Sequence, residues 1–319
     1  MLAFIGRRIV LAIPMVVLIS FLIFLLVDLA PGDAAERLAP DNATEEQVQA
    51  IRERFDLDEP VVVRYVDWLG DAVTGDLGTS LATGESVNDL IFGSRLAVTA
   101  SLALVALVLT IVTSLILGIV AAVRSGKLSD RAISTLAAVL VAAPSFWIGM
   151  VLVLNFALQP RFFGIHFPAI GYRPMSDGFW TWLNALVLPA VALAALPLAE
   201  LTIQLRASLI EVGQRDFILA ARAKGLRSSS IVVKHGLKNA AIPVVTVLGF
   251  RVAQLLGGSV IVEAVFVLPG LGTLAINSVL AQDIPVLLGL VLLSTIVVLV
   301  VNVLVDLSYG YFNPKMRVT

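Results

Sequence analysis

The chain has 319 residues, of which 59% are hydrophobic and 14% charged, whereas ordinary soluble domains are about 45–50% apolar and about 25% charged. This composition excludes an ordinary soluble domain and favours a protein that has lipid as its solvent. The sequence contains no cysteine, which excludes disulfides, thiolate metal sites and cysteine nucleophiles. Its two histidines, His166 and His235, are too few for a histidine-based metal site, so we predict no metal ligands.

Six apolar runs are long enough to cross a bilayer, which takes roughly 20 helical residues. Their apolar character is continuous, whereas the strands of a membrane β-barrel alternate over about 10 residues. We therefore predict an all-α polytopic membrane protein with spans at Ile9 to Leu29, Leu96 to Val123, Ile133 to Leu158, Leu183 to Leu205, Ala240 to Val262 and Val286 to Leu307. The first run exceeds the roughly 7–15 residues of a signal-peptide core, which favours a retained span over a cleaved signal.

Lys and Arg are distributed unevenly among the segments between the spans. With a cytoplasmic N-terminus, the inside segments hold 14 of the 22 basic residues and the outside segments 7, while Arg251 lies within a span. Basic residues accumulate on the cytoplasmic side of membrane proteins. We therefore predict that both termini face the cytoplasm.

The segment between the first two spans is predicted to form a small external domain. From residue 33 to residue 94 it holds 14 acidic and 4 basic residues. Thr44 and Gln47 have the spacing of a helix N-terminal capping box, and Tyr65 and Trp68 supply apolar surface, which favours order over a disordered acidic linker. The predicted divisions are the first helix over 1–29, the external domain over 30–94 and a five-helix core over 95–319 that includes segment 211–239.

Segment 211–239 is the longest predicted cytoplasmic connection. Its first part has the pattern of a short helix, with one face formed by Phe217, Ala220, Ala221 and Lys224. Gly225 can end this helix by adopting φ > 0. Ser228 to Ser230 can cap a second helix that begins near Ile231. We therefore predict two short helices along the membrane surface.

The charge of this segment also fits a basic amphipathic helix that touches anionic lipid. That alternative does not explain the small Ala220-Ala221 face, because small side chains permit the close approach that docking requires. Elsewhere the sequence has no phosphate-binding Gly-x-x-x-x-Gly-Lys-Ser/Thr loop, no His-Glu-x-x-His and no Gly-x-Ser-x-Gly. We predict no catalytic residues, so energy for uphill transport would come from a partner or an ion gradient.

Several polar side chains fall inside the predicted spans, where an ionisable group costs about 2.5–3.5 kcal/mol on insertion scales and usually faces protein or water. The candidates for a transport pathway or an intramembrane pair are Asn155, Glu200, Gln204, Arg251 and Gln254. Glu200 and Arg251 lie on neighbouring predicted spans, so they either pair with each other or line a pathway.

The sequence Ala-Arg-Ala-Lys-Gly at 221–225 resembles the cytoplasmic loop of ABC-importer permease subunits, in the B-type dipeptide/oligopeptide permease subfamily. An ordered set of motifs extends the resemblance along nearly the whole chain. They are Ala-Pro-Gly-Asp at 30–33, Leu-Asp-Glu-Pro at 57–60, Gly-Asp-Leu-Gly at 75–78, Pro-Ser-Phe-Trp at 144–147, Asn-Ala-Ala-Ile-Pro-Val-Val-Thr-Val-Leu-Gly at 239–249, Val-Glu-Ala-Val-Phe at 262–266, Pro-Gly-Leu-Gly at 269–272, and Asp306 with Asn313-Pro314. Leu219 departs from the general pattern, which has Glu there, so a Glu contact is not carried over.

The resemblance implies the fold of a type I ABC-importer permease in the bacterial cytoplasmic (inner) membrane, with this chain as half of the pore. The implied partners are a second homologous permease, two ATP-binding subunits that carry ATP and Mg, and an external substrate-binding protein. It implies no cofactor on this chain and no nucleic-acid partner. The residues implied to couple to the ATP-binding subunits are Asp216, Ala220, Ala221, Arg222, Ala223, Lys224, Gly225, His235 and Asn239.

The resemblance also implies a region near the external gate at Glu263, Pro269 and Gly270, although a tight turn that re-enters the membrane fits these residues equally well. Dipeptides or oligopeptides are the leading substrates, while nickel and glutathione systems use similar permeases. The competing class is a secondary transporter that couples to ions through Glu200, Arg251 and Asp306, and it predicts transport by this chain alone without ATP. A membrane anchor would need only one or two spans.

Overall fold

The structure, a computed structural model, describes residues 2–28, 35, 43–54, 58–158, 167–226 and 231–312. It is about 82% helical and has no strands among these residues; an isolated bridge joins Thr79 and Ser86. The chain divides into two compact units. Unit 1 comprises Met1–Val98 and Pro269–Leu299, and unit 2 comprises Thr99–Leu268 and Val300–Thr319.

Unit 1 begins with α1 (Leu2–Asp28), α2 (Glu45–Arg54), α3 (Val61–Thr74) and α4 (Val87–Phe92). The chain then enters unit 2 along α5 (Ser94–Val123), followed by α6 (Leu128–Ala142), α7 (Ser145–Leu152), α8 (Phe179–Gly213), α9 (Asp216–Ala223) and α10 (Leu237–Phe266). The last helices are α11 (Leu271–Leu280) and α12 (Ile284–Phe312). Two wide π-helical turns, Val153–Ala157 and Ile231–Gly236, and a 3₁₀ turn, Met175–Asp177, complete the helical structure of the described residues.

Within the described residues, three helical stretches are long and apolar enough to cross a membrane, namely Val87–Val123, Phe179–Gly213 and Ile284–Val305. Two bent helix pairs raise this number to five if each pair counts as one span: Leu128–Ala142 with Ser145–Ala157, and Pro243–Val252 with Gly257–Phe266. The first predicted span lies in α1, a 27-residue helix. The helical polytopic fold is confirmed, and the number of six spans stays a prediction.

The third predicted span, Ile133 to Leu158, is not one straight helix. It is broken between α6 and α7, whose axes are bent by 107°. The break falls at Ala143 and Pro144, where Ala143 is extended with φ −84° and ψ 127°. A proline disfavours the helical conformation of the residue before it, which explains the position of the break.

The beginning of unit 1 contains the two features predicted for its acidic segment. The N–H of Gln47 donates to Oγ1 of Thr44 at 3.4 Å, and the N–H of Thr44 donates to Oε1 of Gln47 at 3.0 Å, so the capping box is confirmed. Tyr65 on α3 is buried, and its hydroxyl donates to the carbonyl of Val17 on α1 at 2.8 Å. Rings of α1 pack edge-on against Tyr65, with Phe21 at 5.1 Å between centroids.

The apolar core of unit 1 joins α4 to the last two helices. Its buried members are Leu77, Val87, Leu90, Ile91, Leu274, Val286 and Leu290. Beside it, the buried carboxylate of Asp283 accepts a hydrogen bond from the Ser80 hydroxyl and one from the N–H of Leu81 at 3.2 Å. This carboxylate ties the connection between α11 and α12 to the loop before α4.

Unit 2 is held together by close helix contacts at glycines. An alanine Cβ at Gly118 on α5 would lie 2.9 Å from Cδ2 of Leu205 on α8. At Gly249 on α10 it would overlap Val305 on α12, lying within 3.0 Å of all three branch atoms of that side chain. Small residues let membrane helices approach closely, so these two contacts set the separations of the helices.

Candidate coupling segment and intramembrane polar groups

The coupling segment follows directly from the end of α8. This helix is 35 residues long, well above the roughly 20 residues that a span needs. At its end the N–H groups of Gln214 and Arg215 donate to the carbonyls of Glu211 and Val212, both at 3.1 Å. α9 begins at Asp216, so only a tight turn separates the two helices.

One side of α9 is part of an apolar core. Ile218 is buried together with Leu205, Leu209 and Val212 of α8 and with Ile231 and Ala240 further along the chain. Ala221 packs at the edge of this cluster. The other side, with Asp216, Phe217, Ala220, Ala223 and Lys224, is exposed.

The exposed face corrects one detail of the sequence prediction. Ala221 was expected on the same face as Phe217 and Ala220, but it is half-buried against the core. A helix turns about 100° per residue, so Ala221 lies about 40° from Phe217 on the side towards the buried Ile218. The face that a partner could contact therefore consists of Phe217, Ala220 and Lys224.

Gly225 ends α9 as the sequence predicts. Its φ is +77°, and the N–H of Leu226 donates to the carbonyl of Ala221 at 3.3 Å. This left-handed conformation with a bond back into the last turn is a common helix end. No atom lies within 4 Å of where a Cβ would be at Gly225, so the requirement for glycine comes from the backbone.

The second predicted short helix is not a separate element. The π-helical turn Ile231–Gly236 continues directly into α10, and Gly236 itself keeps helical angles of −69° and −58°. Glycine breaks a helix only where it leaves these angles, so its presence here does not end the turn. Ser228 to Ser230 lie outside the described residues, as do the side chains of Arg222 and His235, while Asn239 is exposed near the start of α10.

A cavity of about 360 Å³ lies beside α9. Its walls come from the end of α5, the end of α8, α9 and the turn before α10. Ala122, Leu209, Val212, Ile218, Ile231 and Gly236 are among the lining residues. The cavity is a half-open cleft, so α9 borders space that no side chain of the described residues fills.

The intramembrane candidates Glu200 and Arg251 form an ion pair between α8 and α10. Nη2 of Arg251 donates to Oε1 of Glu200 at 2.5 Å, and Nη1 donates to the amide oxygen of Gln254. The side chains of Arg251 and Glu200 are 19% and 24% exposed. Cζ of Arg251 also lies 5.4 Å from the centre of the Phe250 ring.

The other two intramembrane candidates lie outside this group of bonds. Gln204 is one turn from Glu200 on α8, and its amide lies 3.4 Å from the Ser208 hydroxyl. Asn155 is exposed in the π-helical turn after α7 and donates to the carbonyl of Val151 at 2.8 Å. The structure thus joins Glu200, Arg251 and Gln254 and leaves Asn155 elsewhere.

A second ion pair on α8 was missed by the sequence reasoning. Nε and Nη2 of Arg206 donate to the two oxygens of Asp130 at 2.5 and 2.8 Å. The N–H of Gly126 donates to the same carboxylate at 2.8 Å. Arg206 drew attention only as an inside positive charge, and 76 residues separate it from Asp130. The sequence feature that comes closest to indicating this pair is Asp130 itself, an acidic residue four positions after the turn residue Gly126.

The candidate gate residues lie at the end of α10 and just after it. Glu263 is completely buried, and its Oε1 accepts a hydrogen bond from the Thr99 hydroxyl at 2.7 Å. The helix ends with Val267 in the left-handed region at φ +51°, which is uncommon for a β-branched residue. Pro269 is exposed and Gly270 is buried at the start of α11.

These features define a helical membrane protein with charged pairs between its spans. Residues 114–318 match the family described as binding-protein-dependent transport system inner membrane component, and residues 1–103 match the N-terminal part described for the same kind of component. The chain belongs to this family of ABC-importer permeases.

Relatives match along the full chain. It is 38% identical to a putative peptide transport system permease protein of Brucella abortus (strain 2308), covering 99% of each chain. It is 33% identical to the oligopeptide transport system permease protein AppB of Bacillus subtilis, over 99% of this chain and 100% of AppB. It is 35% identical to the glutathione transport system permease protein GsiC of Escherichia coli O6:H1, over 99% of each chain.

Two solved structures share the fold. Both are inward-facing forms of the MetNI methionine ABC transporter. One has a TM-score of 0.54 at 20% identity, covering 68% of this chain and 93% of that chain. The other has a TM-score of 0.55 at 19% identity, covering 70% and 96%. They support the ABC-importer permease fold of this chain.

Proposed function

We propose that this chain is one of two permease subunits of an ATP-driven importer for dipeptides or oligopeptides. The observation that carries the proposal is the family match along 1–103 and 114–318, together with relatives named as peptide permeases. In this proposal an external binding protein delivers the peptide, and two partner subunits bind ATP with Mg. The chain is multi-pass in the inner membrane, with both termini in the cytoplasm.

The coupling role in this proposal belongs to α9 and the residues around it. Its exposed face consists of the aromatic Phe217, the small Ala220 and the basic Lys224, and such a mixed apolar and basic face suits docking onto an ATP-binding subunit. The buried face with Ile218 connects α9 to α8, so a push on α9 would be transmitted to a long span. Asp216, Ala221, Arg222, Ala223, Gly225, His235 and Asn239 remain candidates within the same docking region.

The pathway role belongs to the Glu200–Arg251 pair with Gln204 and Gln254. Both charges are partly exposed, and ionisable groups in spans usually face protein or water rather than lipid. We therefore place this face of α8 and α10 towards the second permease and the pathway. For the external gate, the turn at Pro269 and Gly270 is the candidate, whereas buried Glu263 would act by holding α10 to α5.

The function is tested by reconstituting the chain with its second permease, two ATP-binding subunits and binding protein in proteoliposomes. We expect peptide uptake that requires ATP on the cytoplasmic side and every one of these components. Uptake by this chain alone, without ATP, would instead support an ion-coupled secondary transporter and would contradict the proposal.

The coupling segment is tested by Gly225→Val. A β-branched residue is strained at φ +77°, so we expect uptake to fall at least about tenfold if α9 must keep its present end, since couplings of this kind span about 5–150-fold. The matched control is Gly70→Val on α3, outside segment 211–239, because Gly70 has no positive φ and no atom within 4 Å of its Cβ position. Equal uptake by the two variants would contradict a coupling role.

Glutathione is a second candidate substrate, since the chain is about as similar to the glutathione permease GsiC as to AppB. Mass spectrometry of the ligand that co-purifies with the binding protein in the intact complex separates the candidates. Recovery of peptides of mixed sequence supports the first proposal, recovery of glutathione supports the second, and recovery of nickel contradicts both.

A further inference from the structure

The turn between α5 and α6 is bound to α8 by the Asp130–Arg206 pair. Two hydrogen bonds from the guanidinium and one from the Gly126 N–H converge on a carboxylate that is 4% exposed. Ser134 on α6 lies 3.4 Å from the same carboxylate. A bidentate bond between charged groups constrains both distance and rotation. The first turn of α6 and this part of α8 are therefore held in a fixed relation.

The pair lies close to the coupling helix along the chain. Arg206 is seven residues before the end of α8 at Gly213, which is about 10 Å along the helix axis, and α9 follows after the tight turn. Because Arg206 is only about two helical turns from the end of α8, a displacement of α9 that shifts this end would also shift Arg206.

The cavity beside α9 lies among the same elements. It leaves room between α9, the end of α8 and the turn that begins at Ile231. α9 has one exposed face and borders this open cleft, and segments with few buried apolar contacts shift at low free-energy cost. In the ion pair the Asp130 side chain is 4% exposed and the Arg206 side chain 31% exposed, and separating them would leave the buried carboxylate without its partner, which is costly. The structure thus combines a region that can yield with a rigid link a short distance along the same helix.

We propose that Asp130 and Arg206 are positioning residues that transmit displacement of α9 to α6. In this inference, which rests on the proposed importer function, the ATP-binding subunits displace α9 and α8 follows. The ion pair makes α6 move with α8 as one body.

The test compares ATP hydrolysis and peptide uptake by the complete importer in proteoliposomes. Asp130→Asn removes the charge of the carboxylate, and Arg206→Lys keeps the positive charge but loses the planar fork that makes two bonds. We expect ATP hydrolysis within about twofold of the original complex and peptide imported per ATP lowered about tenfold, within the usual range of coupling between sites.

The matched control is Arg131→Gln, which removes an exposed charge beside Asp130 in the first turn of α6, outside segment 211–239. We expect it to leave both activities unchanged. Equal loss of hydrolysis and uptake in the Asp130 and Arg206 variants, or loss explained by less assembled complex, would indicate a purely structural role and overturn the proposal.

A second measurement does not depend on these variants. The chain has no cysteine, so Ala138→Cys on α6 and Ala207→Cys on α8, both exposed, can carry spin labels in a complex with cysteine-free partners. We expect their distance to stay constant when ATP binds, while a label at Ala223→Cys on α9 moves relative to a label on the second permease subunit. A change of the α6–α8 distance on ATP binding would overturn the proposal.

The two hypotheses fail in different ways. Absence of ATP-driven uptake by the original complex contradicts the proposed function. Normal uptake by the original complex with normal uptake per ATP in both ion-pair variants contradicts the positioning role alone.

Discussion

The interior of unit 2 and its coupling end are packed differently, although α8 and α10 contribute to both. In the interior, Gly149 and Gly249 allow side chains of neighbouring helices to lie against the backbone. At the coupling end, α9 lies beside a cavity of about 360 Å³ and has one exposed face. Close contact fixes helix separation, whereas unfilled volume permits displacement. The difference separates a closely packed interior from an end of the same unit that is packed less closely.

Two of the ion pairs on α8 differ in exposure in the same way. Glu200 pairs with Arg251 in the interior, where the two side chains are 24% and 19% exposed. Glu211 pairs with Arg215 near the end of the helix, where they are 72% and 55% exposed. Removing a partner is costly when it leaves a charge enclosed, so the two pairs should respond very differently to the same substitution.

The largest effect is expected for Glu200→Gln. It leaves the Arg251 guanidinium without its counter-charge between two spans, and we expect the free energy of unfolding to fall by about 3 kcal/mol. Thermal and denaturant unfolding of the purified complex measure this loss. Exchanging the charges with Glu200→Arg and Arg251→Glu should restore part of it. A neutral result for Glu200→Gln would show that water already screens the pair.

The second effect is expected for Gly249→Ala. The added Cβ would lie within 3.0 Å of Cβ, Cγ1 and Cγ2 of Val305. Rotation of the Val305 side chain moves its two Cγ atoms but not its Cβ, so no rotamer of Val305 removes the overlap. We expect a loss of about 2 kcal/mol in the free energy of unfolding. Gly257→Ala on the same helix, where no atom lies within 4 Å, is the control. Equal stability of the two variants would refute the close contact.

A smaller effect of opposite sign is expected for Ala122→Leu, which adds side-chain volume to the wall of the cavity. The cleft is half open, so only part of the added side chain becomes buried, and we expect the free energy of unfolding to rise by about 0.5 kcal/mol. We also expect slower peptide uptake, because α9 loses room to move. Ala138→Leu, at an exposed position on α6, controls for added apolar volume. Higher stability with undiminished peptide uptake would contradict the idea that α9 needs the space of the cavity in order to move.

The smallest effect is expected for Glu211→Gln at the coupling end. Exposed pairs four residues apart in a helix contribute about 0.3–0.5 kcal/mol, so we expect a change in the free energy of unfolding below about 0.5 kcal/mol. The measurement is the same unfolding assay as for Glu200→Gln. If Glu211→Gln lowered the free energy of unfolding as much as Glu200→Gln does, the proposed difference between the two regions would be wrong.

Local sequence patterns predicted several features that the structure contains. The capping box at Thr44, the left-handed conformation of Gly225 and the burial of Tyr65 depend on residues within a few positions of one another or on a single strongly apolar side chain. The pairing of Glu200 with Arg251 was one of two predicted outcomes, and its basis is equally simple. A charged residue inside an apolar helix has few oppositely charged residues at the same depth, so the number of candidate partners is small.

Contacts at long range were not predictable in the same way. Arg206 could have been a loop charge, and nothing near Asp130 in the chain indicates a partner 76 residues away. The same holds for the Thr99 hydroxyl on Glu263, at a separation of 164 residues. Which polar groups meet depends on how neighbouring helices are rotated and shifted, and this is decided by packing of their whole surfaces.

The sequence by itself indicated that the protein lies in a membrane, that it is helical and which family it resembles. The length of the apolar runs, the uneven distribution of basic residues and the ordered motifs carry this information, and all three are properties of the chain alone. Tertiary structure decided that Ile231–Gly236 continues directly into α10 and that Ala221 packs inward. It also decided the Asp130–Arg206 link. The physical reason is that periodicity specifies which face of a helix is apolar, whereas the partner that covers the face is chosen by the fit of whole helices.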